Sequence, residues 1–313
     1  MTLLYCFPVF SHTITNKKET TMPEYASFEL HLHSQWSYDA LTPVEEYFKF
    51  ARERKLRAFA LTDHHTMDGY GDMLECAKKY PDVPFVAGAE LTVHSPMGTF
   101  DLVCLNLPCQ ETGELVDLFK TYRAWQVACG TAISANLVRL GFDFDDAERM
   151  KVLQSYRPQR IIDKQGNTHV RHGTMVETCI QRGFCKDKEG YKELTKQYVD
   201  VPHYPEYDYV IPIVKRAGGI VIIAHPYHYF HINDVNRMDA LCELFQLDGI
   251  ECSQSCFPEE ITPFYREYCV KHKLLSSGGT DMHTPNYEKF ARHCGEDKWL
   301  DELLERVELH HGA

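Results

Sequence analysis

The sequence is short of positive charge, and this shortage limits the partners that the protein can have. Its 313 residues include 33 Lys and Arg against 45 Asp and Glu, which gives a formal net charge of −12 at pH 7. Non-specific binding to duplex nucleic acid depends on many Lys and Arg contacts to phosphate, so that function is disfavoured. A small anionic substrate is still compatible with this charge if bound cations reverse the local field.

Long apolar runs and closely spaced cysteine pairs are also absent. No apolar run approaches the roughly 18 residues that a membrane span requires. The 12 cysteines are scattered and form no CxxC pair, and the nearest two are Cys252 and Cys256. Because disulfide scaffolds are usually shorter secreted chains, we expect reduced thiols and a cytoplasmic protein without a membrane partner.

The amino-terminal segment, residues 1–25, is predicted to be a disordered tail. Its second half, "SHTITNKKETTM", is polar and has no hydrophobic periodicity. A secretory signal peptide is a weaker alternative, because the apolar run at the start lacks a basic region before it.

Short apolar runs recur along the rest of the chain, and most precede a longer helical pattern. Thr42, Pro43 and Glu45 have the spacing of a capping box at the start of the first helix. Alternating strands and helices predict an α/β fold with a parallel sheet covered by helices. We expect seven strands in one closed sheet, with an open doubly wound sheet as the alternative; the strands are predicted at 27–33, 58–63, 84–90, 98–107, 218–225, 248–252 and 274–281.

Polar side chains stand at the carboxyl ends of five of these strands. In "FELHLH" the strand period of two places His31 and His33 on the same face. Barrels of alternating strands and helices collect their catalytic groups at this end of the strands. The other strand-end groups are Asp63, His64 and His65 in "LTDHHT", Glu90 in "GAE", His225 in "AHP", and Asp281 and His283 in "GGTDMH".

Each of these motifs has an ordinary structural explanation when it is taken alone. A pair of histidines on one strand is more often hydrogen-bonded in a core than bound to a metal. Taken together, however, the motifs would require several buried imidazoles and carboxylates to be satisfied separately. Because burying unpaired charge is costly, a shared set of cations is the simpler explanation.

The motifs HxH, TDHxT, GxE, AHP, GIE and GG(S/T)DxH, in this order, resemble those of the PHP family, named for polymerase and histidinol phosphatase. The match covers residues 27–107 and 218–285. The resemblance is closest to stand-alone phosphoesterases that act on nucleotides or as 5′–3′ exonucleases. It implies a distorted seven-stranded (β/α)7 barrel at 26–107 and 206–313, with a helical insertion at 108–205 between strands 4 and 5.

The resemblance also implies two or three divalent metal ions, of which Mn²⁺, Zn²⁺, Fe²⁺ and Mg²⁺ are candidates. His31, His33, Glu90 and Asp281 would hold one metal. Glu90 would bridge to a second metal, which His225 would also bind. Asp39, in "SYDALTP", would hold the third together with His64 and His283.

Two departures from the family pattern concern the second metal and the substrate. Asp101 stands where the family branch usually has a histidine on the fourth strand, and we favour it as a ligand over His94, which lies in a predicted loop. Carboxylate in place of imidazole shifts the preference of a site toward Mn²⁺ or Mg²⁺. His228 stands where relatives often have a basic residue, and it is a candidate phosphate ligand together with Arg171 and His172 in "HVRHG".

These observations predict metal-dependent hydrolysis of phosphate esters, with a metal-bound hydroxide as the nucleophile. Glu90 is the predicted catalytic bridge, and His65 is either a proton shuttle or a supporting group. The expected substrate is a nucleoside monophosphate or the 5′ end of a short oligonucleotide, whereas the oligomeric state is not predicted. The alternatives are an amidohydrolase-type metal hydrolase and a catalytically inert PHP interaction module.

Overall fold

The computed structural model describes residues 25–110, 113–230, 234–258, 260–293 and 295–312. The predicted disordered tail therefore lies outside the described residues, apart from Tyr25. Among the described helices, none combines the length and the apolar character needed to cross a bilayer.

Seven strands form one sheet in which each strand pairs with its neighbour in the sequence. The sheet nearly closes into a barrel, because the backbone N–H of Leu30 donates to the carbonyl of Gly278 at 3.3 Å and Leu32 forms a parallel bridge with Met282. The predicted closed seven-stranded sheet is thus confirmed. The strands are β1 (Phe28–Glu29), β2 (Ala58–Leu61), β3 (Phe85–Ser95), β4 (Gly98–Leu105), β5 (Ile220–Ile223), β6 (Gly249–Gln254) and β7 (Leu275–Gly279).

The strand β4 departs from the predicted parallel arrangement. It pairs antiparallel with both β3 and β5, whereas the other neighbouring pairs are parallel. Only Pro96 and Met97 separate β3 from β4, and a connection of two residues makes a hairpin and leaves no room for a helix. The prediction of a uniformly parallel sheet is therefore wrong at this strand.

The strands are apolar because helices cover the outside of the barrel. All four residues of β2 and all four of β5 are buried, as expected for strands packed on both faces. The helices that flank the barrel are α1 (Val44–Arg54), α2 (Tyr70–Lys79), α8 (Tyr207–Arg216), α9 (Tyr227–Phe230), α10 (Val235–Phe245), α11 (Ile261–His272) and α12 (Asp297–Leu304).

The segment predicted as a helical insertion contains no strand among its described residues. Its helices are α3 (Glu114–Arg139), α4 (Asp146–Gln154), α5 (Gln159–Gln165), α6 (His172–Gln181) and α7 (Lys188–Thr195). The amino-terminal part of α3 packs on the barrel through Leu118 and Tyr122. Its carboxyl-terminal part contributes Leu137 to a second apolar cluster, the insertion core, together with Phe144 and Leu153.

The start of α1 differs from the predicted capping box. The residue that precedes the first helical turn is Pro43, and no side chain forms a capping hydrogen bond there. Thr42 instead belongs to the turn before the helix, because its carbonyl accepts the N–H of Gln35 at 2.8 Å. The box prediction was therefore wrong.

Candidate metal centre

The chain turns sharply where the site residues leave the strands. His65, His225 and Asp281 have φ values of 61°, 30° and 52°, although none of them is glycine. Such backbone conformations are costly and persist only where the surroundings enforce them. The turns direct side chains from different strands toward one end of the barrel. We call this end, where His65, His225 and Asp281 lie, the mouth.

Hydrogen bonds from buried carboxylates hold these turns together. Glu29, fully buried on β1, accepts the backbone N–H of Thr280 at 2.9 Å and that of Ala291 at 3.0 Å. Asp63 accepts the hydroxyl of Ser34 at 2.8 Å, just after His33. No sequence motif indicated a role for Glu29, and these contacts show that it fixes β1 against the loop that carries Asp281.

The side chains that converge at the mouth form three groups that could each hold a metal ion. Within each group the potential ligand atoms lie within 4.8 Å of one another. Glu90 belongs to two of the groups, and so does His33. The groups are His31, His33, Glu90 and Asp281; Glu90, Asp101 and His225; and His33, His64 and His283.

Glu90 lies at the centre of these groups and is fully buried. Its Oε2 atom is 3.1 Å from Nε2 of His31, 3.2 Å from Nε2 of His33 and 3.2 Å from Nδ1 of His64. Its Oε1 atom is 3.2 Å from Nε2 of His225. Burial alone would raise the pKa of the Glu90 carboxyl, but the imidazoles of His31 and His64 outweigh it and hold that pKa well below its usual range.

Several imidazole nitrogens at the mouth are buried without a hydrogen bond. His33 is fully buried, and neither of its ring nitrogens has a hydrogen-bond partner in the described part of the structure. The same holds for Nδ1 of His64, although a carboxylate oxygen of Glu90 is 3.2 Å away. Buried polar atoms are normally paired. Nitrogen and oxygen atoms that approach without hydrogen-bond geometry fit a shared cation, so the residues present fit a metal cluster.

The charge balance at the mouth also favours a cation. Burial opposes the charged form of His225, but its contact with Glu90 raises the pKa of this imidazole to about 9. Burial likewise opposes the charged form of His283, and the hydrogen bond with Asp39 raises its pKa to about 9. The carboxylates therefore favour positive charge beside them, which divalent ions also supply.

The third group differs in composition from the set that the family resemblance implied. His64 and His283 lie together as expected, but the third member of the compact group is His33. The Oδ2 atom of Asp39 lies 3.5 Å from Nε2 of His64 and 3.3 Å from Nε2 of His283. Asp39 thus contacts two members of the group without belonging to it.

Asp101 is brought to the second group, and His94 is not. Oδ2 of Asp101 is 3.7 Å from Nε2 of His225 and accepts the Tyr229 hydroxyl at 2.8 Å. The ring of His94 instead stacks on that of His203, with centroids 4.9 Å apart. The position of Asp101 early in β4 lies at the mouth because this strand runs in the opposite direction.

Glu251 is a member of the site whose role the sequence analysis missed, although its motif GIE was noted. One of its oxygens is 2.9 Å from Nδ1 of His31, and the other accepts the backbone N–H of His225 at 2.7 Å. A carboxylate on one ring nitrogen leaves the other nitrogen free to bind a metal and fixes the orientation of the ring. The signal was a buried acidic residue between apolar neighbours on β6.

His65 is connected to the second group through a threonine. Its Nε2 atom is 2.8 Å from the Thr92 hydroxyl, which donates to Oδ1 of Asp101 at 2.5 Å. The ring stacks on Tyr122, with centroids 4.9 Å apart and nearly parallel planes. Burial, with the nearby His64, holds the pKa of His65 well below its usual range, so this imidazole is neutral.

The three predicted phosphate ligands lie in different places. His228 lines a cavity beside Asp281 and His283. Arg171 packs its guanidinium over the ring of Tyr156, and the exposed His172 contacts Tyr191. Among the described residues, no hydrogen bond, ion pair or ring contact joins Arg171 or His172 to the three metal groups.

Comparison with solved structures relates the barrel to known folds. The chain superimposes with a TM-score of 0.69 and 22% identity on a protein from Chromobacterium violaceum described as an amidohydrolase with bound sulfate and no metal; the match covers 92% of this chain and 99% of the other. A protein from Bifidobacterium adolescentis described as a metal-dependent phosphoesterase gives a TM-score of 0.68 at 21% identity, with 92% and 98% of the two chains covered. At these identities the likeness establishes the fold.

Comparison of sequences identifies the family. The PHP domain model matches residues 29–213. The chain is 26% identical to a 3′,5′-nucleoside bisphosphate phosphatase of Chromobacterium violaceum over 274 residues, which are 83% of this chain and 88% of the relative. It is 22% identical to a 5′–3′ exoribonuclease of Haemophilus influenzae over 264 residues, 82% and 90% of the two chains. The chain therefore belongs to the PHP domain family.

Proposed function

We propose that the protein hydrolyses a small phosphate ester, either a nucleotide or the 5′ end of a short oligonucleotide, with two or three divalent cations. The observation that carries this proposal is the convergence of His31, His33, His64 and His225 on the single carboxylate of Glu90. The relatives named as a nucleoside bisphosphate phosphatase and an exoribonuclease support a nucleotide substrate.

The three groups would each hold one cation, with Glu90 shared between the first two. Asp101 would complete the second site and Asp39 would adjoin the third through His64 and His283. When bound, such cations polarise phosphate oxygens and lower the pKa of water, and they need no nucleophilic Ser or Cys. The two carboxylates of the second group favour Mn²⁺ or Mg²⁺, whereas the three imidazoles of the third group also suit Zn²⁺ or Fe²⁺.

The chain's own residues position these ligands. Glu251 holds the ring of His31, and Tyr47 places its hydroxyl 2.7 Å from the His33 carbonyl. His65 keeps Asp101 oriented through Thr92, which supports a positioning role for this histidine. Because its Nδ1 atom is buried without a partner, transfer of a proton at that atom is the alternative role.

Arg171, His172 and His228 remain the proposed phosphate ligands. His228 has the best placement, since it lines the cavity next to Asp281. Arg171 is linked toward the mouth through Tyr156, whose hydroxyl donates to the carbonyl of Tyr38 at 3.2 Å. Tyr38 in turn lies beside His64, with ring centroids 5.4 Å apart.

The test is a panel of phosphate esters, an amide and a lactone, assayed with purified protein in Mn²⁺ and in chelator. We expect phosphate release from nucleotides in Mn²⁺ only, together with bound metal in elemental analysis. Cleavage of the amide or lactone alone would favour the amidohydrolase alternative. A folded, metal-free chain without activity in any added metal would favour an interaction module.

A further inference from the structure

A cavity of about 350 Å³ opens beside the metal groups at the carboxyl ends of β6 and β7. Asp281 and His283 form part of its wall, so it is continuous with the proposed catalytic centre, whereas Glu90 does not line it. Its volume lies within the range of about 300–1,000 Å³ that is usual for small-ligand sites. A substrate bound at the metal groups could place a second group in this cavity, away from the carboxylate of Glu90.

The wall of this cavity is suited to a polar group. Apart from Met282 and Cys256, every lining residue carries a nitrogen or oxygen in its side chain. Lys289 contributes a positive charge and is exposed, and within the described residues no carboxylate pairs with its ammonium group. The carboxylate of the wall, Asp281, points its Oδ1 atom at the metal groups, 3.1 Å from Nε2 of His33 and 3.5 Å from Nε2 of His31.

The cavity is also lined by a buried amide whose nitrogen has no hydrogen-bond partner in the described part of the chain. Gln254, the last residue of β6, is only 5% exposed and lines the cavity. Its Oε1 atom accepts the thiol of Cys256 at 2.8 Å, and its Nε2 atom has no hydrogen-bond partner in the described part of the chain. A buried N–H donor without a partner costs free energy unless a ligand accepts from it.

From this geometry we infer that the cavity binds a second phosphate group of the substrate, one that is held by Gln254 and Lys289 and is not hydrolysed. The amide supplies a neutral donor and the ammonium a charge-assisted one, which is a combination suited to a phosphate oxygen. This inference rests on the proposed function, because the reacting phosphate must occupy the neighbouring metal groups. The second phosphate could come from a nucleoside 3′,5′-bisphosphate or from the next linkage of a short oligonucleotide.

The experiment compares three substrates in Mn²⁺: adenosine 3′,5′-bisphosphate, adenosine 5′-monophosphate and a 5′-phosphorylated diadenosine dinucleotide. The variants are Lys289→Ala, Lys289→Arg and, as a matched control, Lys271→Ala, an exposed lysine of α11. We expect Lys289→Ala to lower the ratio of kcat/KM for the bisphosphate over that for the monophosphate about tenfold, as for a lost charge-assisted hydrogen bond. Lys289→Arg should restore most of the ratio, and Lys271→Ala should leave it unchanged.

The outcomes separate the inference from the function on which it rests. Phosphate release from none of the substrates by the wild-type protein would overturn the proposed function. Release by the wild type with an unchanged ratio in Lys289→Ala would overturn the second-phosphate site alone. A fall in the dinucleotide ratio as well would assign the site to internal linkages, and a fall confined to the bisphosphate would assign it to a terminal phosphate.

A second variant tests the amide independently of the charge. Gln254→Leu replaces the unpaired donor with an apolar side chain of similar size. We expect a higher KM for the bisphosphate with kcat nearly unchanged, because the group is held but does not react. An equal loss of kcat on all three substrates would instead indicate a structural role for Gln254 and contradict the inference.

Discussion

The mouth of the barrel and the insertion both bury polar side chains, but the hydrogen bonding of these side chains differs. In the insertion, Arg149 is 1% exposed and every nitrogen of its guanidinium is hydrogen-bonded. At the mouth, His33 is fully buried and neither ring nitrogen has a hydrogen bond among the described residues. A buried polar group with all its partners holds the fold together, whereas one without partners points to a ligand.

The satisfied group makes its contacts within one local structure. The Arg149 side chain joins α3, α4 and the loop that follows α5 through hydrogen bonds to Thr131, Ser134, Asp146 and Asn167. The unsatisfied groups at the mouth come instead from strands far apart in the sequence. Contacts with the carboxylates of Glu90 and Asp281 offset part of the cost of burying these imidazoles, and the nitrogens without a hydrogen bond are the ones available to a ligand.

The largest effect should follow a change at the centre of the mouth. Glu90→Gln removes the negative charge that two metal groups share, and we expect kcat to fall by about a thousandfold or more because two cation sites are weakened together. Elemental analysis should show a lower metal content, while circular dichroism should show a folded protein. Retention of wild-type activity would contradict the central role of this carboxylate.

The matching change in the insertion should act on stability. Arg149→Met removes the donor to the buried Ser134 hydroxyl and to the less buried oxygens of Asp146 and Asn167, and we expect the free energy of unfolding to fall by about 2 kcal/mol. Urea titration measures this loss, and the activity per folded molecule should stay close to that of the wild type. If Arg149→Met lowered the activity per folded molecule as much as the stability, the insertion could not be assigned a purely structural role.

Metal binding should stabilise the mouth and leave the Arg149 contacts unchanged. A ligand that binds only the folded state at 100 times its Kd adds about 2.7 kcal/mol to the free energy of unfolding. We expect Mn²⁺ to raise the Tm of the wild type and of Arg149→Met by similar increments, and that of Glu90→Gln by much less. An identical increment in all three proteins would place the bound metal elsewhere.

A smaller effect should follow a change in the support of the mouth. Glu251→Gln keeps the shape of the side chain but weakens its hold on His31, so we expect metal affinity to fall by about tenfold. Titration with Mn²⁺ of the metal-free protein measures this affinity. Glu243→Gln on the exposed face of α10 is the matched control and should change nothing. An unaltered affinity in Glu251→Gln would reduce its role to packing.

The sequence was sufficient to predict which residues meet at the mouth, because strand-end motifs are local patterns. HxH, TDH and DxH each indicate where a strand ends, and a closed sheet brings such ends together. The direction of β4 was not predicted, because the residue pattern of a strand does not indicate its direction in the sheet. The available signal was the two-residue connection after β3, which favours a hairpin. That Asp39 lies outside the compact third group depends on the path of its loop, which local patterns do not specify.

The supporting carboxylates were missed for a different reason. Glu29 and Glu251 bind groups that are more than 200 residues away in the sequence, at Thr280 and His31. A single acidic residue in an apolar strand has the same appearance whether it pairs with an arginine, accepts backbone N–H groups or orients a ligand. The roles of the predicted metal and phosphate ligands remain predictions that the experiments above address.

The reversed direction of β4 determines what lies above the mouth. Because β4 runs in the opposite direction, it ends at the end of the barrel away from the metal groups. The chain must therefore return along the barrel before it can reach the mouth again. Helix α3 makes that return with 26 residues, which span about 39 Å. On the way it delivers the rings of Tyr122 and Trp125 to His65. The reversed direction of β4 thus lets the insertion lie against the open end of the barrel, where its first helix contacts the residues beside the metal groups.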